Sequence, residues 1–498
     1  MVGNRAQALS RAAALVDELQ QAWVAHCPSR VGGITAIDVL RSVLIPTFAD
    51  VLDGTYINVG RGARTRDVLY EAREYLRSLV GWCGYMRQQF RDAPGGVLFV
   101  PRNSSHLRMS LPVASEMRKA CAAHWLVFKL EHWRALLRLG ERAVLAQPLV
   151  SAAACGTRRA VAALRHDAET LLALPLLAQS FGGSPAAAEA ILRRTLAQNL
   201  GRAALAAVSI ERTLDAVRPR VVVVGNPNTM EGRIAASLAR LAGVPSATIQ
   251  HGDIAAGDPS WRSAEVNRIF VWGDGARRVL VSMGIDGERV EIAGHPALVA
   301  DVPPAPAQSA RSERTRMVLV ALSGAGHMVG MAEHLNHVER LAAAAMETPE
   351  LKWVFRLHPK DSPGIYTAAF ARANLRNAAI VLARKAAQDM TLQLRECGVL
   401  VTVTSTSAVD AMVARVPVVT LARAAGEHVP AFVRAGAVVQ VGPAESVALV
   451  VREVLLRGQP RAVGRQVDAY VSEHIGPRDG LAARRVADRL CSMMTGGE

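Results

Sequence analysis

The chain predicts an α/β protein of two Rossmann-like domains facing each other across a hinge, with an N-terminal helical extension and a helical insertion. Three observations carry this expectation. At 498 residues the chain is too long for one ordinary core. From Arg218 onward, short apolar runs alternate with amphipathic stretches, the rhythm of strand–helix units that build parallel sheets. That rhythm is broken once, at Pro303-Pro304-Ala305-Pro306-Ala307-Gln308-Ser309, whose proline content and lack of periodicity mark a linker.

Residues 1–95 read as the helical extension. Met1–Gln21 is helical in pattern and lacks the apolar core of a signal peptide, and Arg66–Tyr85 places apolar residues three and four apart. The first α/β domain is expected over 96–302. Gly96–Val100 and His124–Lys129 read as strands, separated by the loop Pro101–His106 and a helical stretch to about Ala123. The alanine- and leucine-rich block 130–215 reads as an almost wholly helical insertion. Strands then follow at Arg220–Gly225, Pro245–Gln250, Arg268–Trp272 and Arg289–Ala293, with helices at Met230–Ala242 and Gly275–Met283. After the linker, 303–315, the second α/β domain spans 316–476, with strands at Met317–Leu322, Lys352–Leu357 and Gly398–Val403. A final helical segment occupies 477–498.

Composition narrows the function. Half the residues are apolar and a fifth charged, which is globular. No apolar run approaches the roughly twenty residues that span a bilayer. The six cysteines are scattered, with neither CxxC nor CxxH spacing, which argues against a zinc site or a disulfide framework and fits a reducing cytoplasm. The net charge of +15 admits nucleic acid, an anionic membrane surface or anionic substrates as partners. Aromatics make up 4% and do not accompany the arginines, so nucleic acid is not expected. A peripheral contact with the membrane's inner face stays open.

The chemistry-bearing motifs fall at strand ends. Arg356-Leu357-His358-Pro359-Lys360-Asp361 closes one strand, and Thr402-Val403-Thr404-Ser405-Thr406-Ser407 closes another and opens a helix that carries Asp410. Ligands of open α/β sheets bind beyond the carboxyl ends of strands, and helix N-termini offer free N–H groups to anions. These two motifs suit a nucleotide phosphate. Ser407 and Asp410 also have nearly capping-box spacing, which uses the same N–H groups. Ser323-Gly324-Ala325-Gly326-His327 permits close approach to a phosphate but lacks the full dinucleotide fingerprint, which disfavours a nicotinamide dehydrogenase. Gln250-His251-Gly252-Asp253 places an imidazole at a sharp strand-end turn, suited either to proton transfer or to capping the strand. In Gly225-Asn226-Pro227-Asn228-Thr229-Met230-Glu231, Glu231 reads either as a base near a polyhydroxyl acceptor or as the third helical residue after an Asn228 cap.

Taken in order, these pieces resemble the GT-B glycosyltransferases of bacterial surface-polysaccharide assembly, the group of CDP-glycerol glycerophosphotransferases, capsule Kdo transferases and bacterial sialyltransferases. The matching residues are Gln250-His251-Gly252, Val271-Trp272-Gly273, Gly284-Ile285, Gly294-His295-Pro296 with Asp301, His358-Pro359, Ser405-Thr406-Ser407, Val416-Pro417-Val418 and Pro477–Arg485, over about residues 218–490. The resemblance implies a nucleotide-sugar or CDP-polyol donor on the second domain, with His358 at base or phosphate and Ser405–Ser407 on phosphate. Ser323, Gly324, Arg356, Pro359, Lys360 and Asp410 complete that set. It implies a glycan or lipid-linked acceptor on the first domain, His251 as general base with Glu231, Asp253 or His106 as alternatives, and a last helix packed back on the first domain. No cofactor is expected, and the lack of a DxD-type cluster fits metal independence. The chain departs from the pattern at Asp410, where many relatives carry Glu, and in its looser serine motif. UDP-N-acetylhexosamine 2-epimerases share the scaffold, but the glycine and glutamate pairs they usually show are missing from Thr404–Asp410. A non-catalytic scaffold is the remaining alternative.

Overall fold

The computed structural model describes residues 5–27, 35–52, 95–146, 162–164, 166–170, 185–254, 261, 265–298, 316–324, 329–358, 361–382, 390–423 and 429–496. The expectations for Arg66–Tyr85, the 303–315 linker, Pro359, Lys360 and His327 lie outside these residues. The chain forms two compact units, Gln7–Leu298 with Pro477–Glu498, and Val299–Gly476 with Met1–Ala6. Each is an α/β unit built on one fully parallel sheet.

The first sheet contains β1 (Val97–Val100), β2 (Ala123–Val127), β3 (Arg142–Leu145), β4 (Val221–Val224), β5 (Ser246–Ile249), β6 (Arg268–Val271) and β7 (Val290–Ile292). They lie in the order β3-β2-β1-β4-β5-β6-β7, all parallel. The second contains β8 (Met317–Ala321), β9 (Lys352–Leu357), β10 (Ala378–Leu382), β11 (Val399–Thr402), β12 (Val418–Leu421) and β13 (Val439–Val441), ordered β10-β9-β8-β11-β12-β13 and also parallel. Central strands such as β1, β4 and β11 are buried at every residue, which is why they appear in the sequence as unbroken apolar runs.

Three strands depart from the expectations. β3 lies within the block expected to be helical, after the helix Leu130–Arg138, and β10 and β13 had no strand expectation at all. All three are edge strands. β10 is half-exposed along most of its length and β13 at two of its three residues, as edge strands are; β13 is interrupted by Gln440, whereas β10 is apolar throughout.

The described part of the N-terminal region is not peripheral. Leu19 and Trp23 of the helix Arg5–His26, and Leu40, Leu44 and Phe48 of the helix Ala36–Leu52, are buried in the same core as β1, β4 and the long helix Pro185–Val217. A buried ion network joins this layer to the helix Met230–Leu241. Arg233 donates to both oxygens of Asp38 at 3.2 and 3.1 Å, Arg41 donates to Asp38 at 3.2 Å, and Arg41 also pairs with Asp17. The last helix, Ala482–Thr495, packs on the helix Ser104–Met117 of the first unit. Its Arg489 donates to Glu291 and its Arg485 to the carbonyl of Ala293, both at 2.8 Å.

Asp38→Ala removes the buried carboxylate that holds Arg233 and is shared with Arg41, and is expected to lower the unfolding free energy by about 3 kcal/mol or more. In the same denaturant titration, Arg457→Ala, which breaks an exposed pair with Glu453, is expected to change it by less than about 0.5 kcal/mol.

Candidate functional site

Each sheet reverses its winding direction once, between β1 and β4 in the first unit and between β8 and β11 in the second. Neighbouring connections leave on opposite sides there, which opens a crevice beyond the carboxyl ends of the strands. Most of the sequence-predicted residues that the structure describes gather at these two places.

In the second unit, Ser323 follows β8 and Thr404 follows β11, and their hydroxyls meet at 2.7 Å across the crevice. Thr402 donates to the carbonyl of Ala321 at 2.6 Å and accepts from the Ser405 N–H at 3.3 Å, fixing the loop after β11. Ser405 donates to the Ser407 hydroxyl at 3.0 Å and accepts the Ser407 N–H at 3.3 Å. Ser407 therefore does not cap its own helix. Thr406 occupies the cap position of Ser407–Val413 without a side-chain bond, and Asp410 lies half-buried in that helix's first turn. Ser405 and Thr406 are half-buried at the crevice.

The turn after β9 is organised by Asp361, a residue within the predicted basic motif but with no predicted role. Its carboxylate, 2% exposed, accepts the His358 N–H at 3.1 Å and the Tyr366 hydroxyl at 3.0 Å, and lies 3.4 Å from His334 Nε2. Burial first, then the Asp361 charge, drives the Tyr366 hydroxyl far above its ordinary pKa, so it stays a donor. Gly324 sits against this turn. A Cβ there would lie 2.6 Å from Asp361 Oδ1 and 3.4 Å from His358 Nδ1, and its φ of +72° disfavours any side chain. Ser323, Gly324, His358, Ser405 and Ser407 thus belong to one neighbourhood. Arg356 instead donates to Gln393 at 2.7 Å.

In the first unit, Arg102 and His106 come from the β1 side and Gly225 to Glu231 from the β4 side. The N–H of Arg102 donates to His106 Nδ1 at 3.1 Å. A Cβ on Gly225 would lie 2.3 Å from that same nitrogen, so only glycine lets the imidazole in. His106 and His251, from the turn after β5, meet edge to face with ring centroids 4.2 Å apart. Asn226 Nδ2 lies 3.4 Å from His251 Nε2, while Asn226 Oδ1 accepts the Asn228 N–H at 2.8 Å. Glu231 Oε2 lies 3.2 Å from Arg102 Nε. Gln250 locks the His251 turn, since its side chain donates to the Gly252 carbonyl at 2.9 Å and accepts the Trp272 N–H at 2.7 Å. Asp253 follows this turn, half-buried.

The expected Asn228 cap is corrected here. Thr229 caps the helix Met230–Leu241, accepting the Gly232 N–H at 3.2 Å, so Asn228 and Glu231 are released from helix-start duty. His132 joins the cluster unpredicted, 3.4 Å from the Ser104 hydroxyl. Burial lowers the imidazole pKa of His132 and of the partly exposed His251 to about 4. Burial, then the charges of His251, Arg102 and His132, holds His106 well below its usual value. The signal for His106 and Arg102 was their place in the loop after β1, which gains meaning only once β1 is known to border β4.

No family model matches the chain, and no curated protein matches it. Solved structures do. A Listeria monocytogenes protein given the provisional name UDP-N-acetylglucosamine 2-epimerase is 14% identical, with 82% of this chain and 98% of that chain covered and a TM-score of 0.51. The S. aureus MnaA–UDP co-structure is 13% identical, covering 80% of this chain and 97% of that chain, with a TM-score of 0.53. At such identities the likeness establishes the fold, an α/β two-domain GT-B-like architecture.

Buried histidines of depressed pKa make stability pH-dependent. His132 and His337 titrate near 4 and His295 near 3 in the folded chain, against 6.5 when unfolded. The unfolded chain binds more protons between these values, so stability is full above about pH 6.5 and falls as pH drops toward 4. Urea unfolding from pH 7 to pH 4 checks this, and His132→Gln is expected to make the decline shallower.

Proposed function

We propose that the protein is a GT-B glycosyltransferase that moves a sugar, or a polyol phosphate, from a nucleotide-activated donor to a surface-glycan or lipid-linked acceptor, without a metal. The observation that carries this reading is the contrast between the two switch-point clusters. The second unit offers hydroxyls, a glycine that admits close backbone approach, and a braced His358. The first offers neutral imidazoles beside a carboxylate and amides. The former suits a phosphate that gains negative charge as its bond to the sugar breaks. The latter suits an acceptor hydroxyl that must lose a proton.

In this reading Ser323, Gly324, His358, Ser405, Thr406 and Ser407 hold the donor, and His251 Nε2 takes the proton. With its pKa near 4, His251 is neutral at pH 7. The Asn226 amide at 3.4 Å marks Nε2 as the nitrogen bearing the lone pair, which an acceptor hydroxyl reaches by displacing that amide. So weak a base draws the proton as the acceptor oxygen attacks, not beforehand. The net charge of +15 suits a peripheral contact with an anionic membrane surface, and no described helix is long and apolar enough to cross a membrane. The second reading is a nucleotide-sugar epimerase, favoured by the name of the Listeria neighbour. It differs in needing no acceptor.

Calorimetry with CMP, CDP, UDP and GDP, with and without EDTA, is expected to select one nucleotide, with EDTA leaving the affinity unchanged. Ser405→Ala with Ser407→Ala is expected to weaken that binding about tenfold or more, and His358→Ala likewise. Unaltered affinity in both variants contradicts the donor site. His251→Ala is expected to lower turnover by about a hundredfold or more while leaving donor affinity in place. Conversion of a nucleotide-sugar to its epimer with no acceptor present would replace transfer by epimerisation.

A further inference from the structure

The first-unit cluster holds four side chains, each more than nine-tenths buried, that carry a polar atom with no hydrogen-bond partner among the described residues. They are His106 Nε2, His132 Nδ1, Asn228 Oδ1 and Glu231 Oε2. A buried polar atom without a partner costs about 1–3 kcal/mol. Gathering several at a crevice where ligands bind is unfavourable unless something else completes their bonding.

The contacts already made fix what each atom offers. His106 Nδ1 accepts from the Arg102 N–H, so in the neutral ring the proton sits on Nε2, a free donor. Asn226 Oδ1 accepts from Asn228, so its other terminal atom is the NH2 that approaches His251 Nε2, which makes that nitrogen an acceptor. Asn228 Oδ1 and the Glu231 carboxylate only accept. The Arg102 guanidinium is paired with Glu231, and Lys129, near His132, with Glu131. The cluster therefore leaves open both a donor, His106 Nε2, and an acceptor, Asn228 Oδ1, with no uncommitted positive charge among these groups.

From this pattern we infer that the first-unit switch point is a subsite for an uncharged, hydroxyl-bearing group, and that it rejects phosphorylated or carboxylated ones. A hydroxyl donates to Asn228 Oδ1 and accepts from His106 Nε2, beside the paired Glu231 carboxylate. A phosphate or carboxylate brings acceptors alone and meets carbonyl and carboxylate oxygens. Arg102, 43% exposed, stays paired with Glu231 and so offers no free cation to an anionic ligand. Among the described residues no group of three His, Cys, Asp or Glu is placed to hold a metal ion, so the same orphaned atoms do not describe a cation site. The inference rests on the transferase reading for its role, assigning the acceptor's reacting end as neutral, but not for its chemistry.

Ligand-observed NMR on the full chain tests it, with methyl glycosides of neutral hexoses and glycerol set against the corresponding hexose phosphates and uronic acids. Binding of a neutral ligand at least about tenfold tighter than its charged counterpart is expected. Asn228→Leu and Glu231→Gln should each weaken the neutral ligand about tenfold and leave nucleotide affinity unchanged. Preference for the charged ligands, absence of binding by any of them, or indifference to both substitutions overturns the inference. The wild-type comparison stands even where a variant fails to fold. A chain that binds neutral glycosides but no nucleotide would instead refute the transferase reading and leave this one in place.

Discussion

Both candidate sites depend on one constraint of parallel-sheet topology, the single reversal of strand order in each unit. Where β1 lies beside β4 and β8 beside β11, loops distant in sequence are set side by side with their backbone groups facing outward. The Ser323–Thr404 contact bridges 81 positions of sequence, and the Arg102–Glu231 pair bridges the whole long-helix region. Neither contact follows from local propensity. The apolar runs that bury the central strands are thus what position the polar loops.

The two switch points use burial differently. In the second unit a buried carboxylate, Asp361, is fully engaged by donors and acts as a fixed brace under His358 and against Gly324. In the first, burial falls on imidazoles and keeps them uncharged at neutral pH, while several of their neighbours' polar atoms go unanswered. A braced, satisfied loop is suited to a ligand that is always the same. An unsatisfied cluster is suited to a ligand whose hydroxyls complete it.

Much of the framework was legible in the chain because central strands of parallel sheets are continuous apolar runs. Lys352–Leu357 matches β9 to the residue, and Val221–Val224, Ser246–Ile249 and Arg268–Val271 fall within the expected spans. β3 and β13 are short edge strands, of four and three residues, while β10 is an unbroken apolar run, Ala378–Leu382, that was passed over. The strand-end motifs at His251, His358 and Ser405–Ser407 were visible as motifs. The partners that give them meaning were not, because His106 and Asp361 act through contacts made only after folding. The Asn228–Glu231 spacing shows the opposite failure. It fits a capping box, but the adjacent Thr229 provides the cap, and the box residues are left to other chemistry.

The most direct test of a donor on the second unit and an acceptor on the first is hydrogen exchange of the full chain with and without its preferred nucleotide. The account predicts protection of the backbone N–H groups of Ser323, Gly324, His358, Asp361 and Thr404–Ser407, with those of Asn226, Asn228–Gly232 and His251 unchanged. Protection centred on Asn226–Gly232 and His251, with the second unit's loops unchanged, would contradict it.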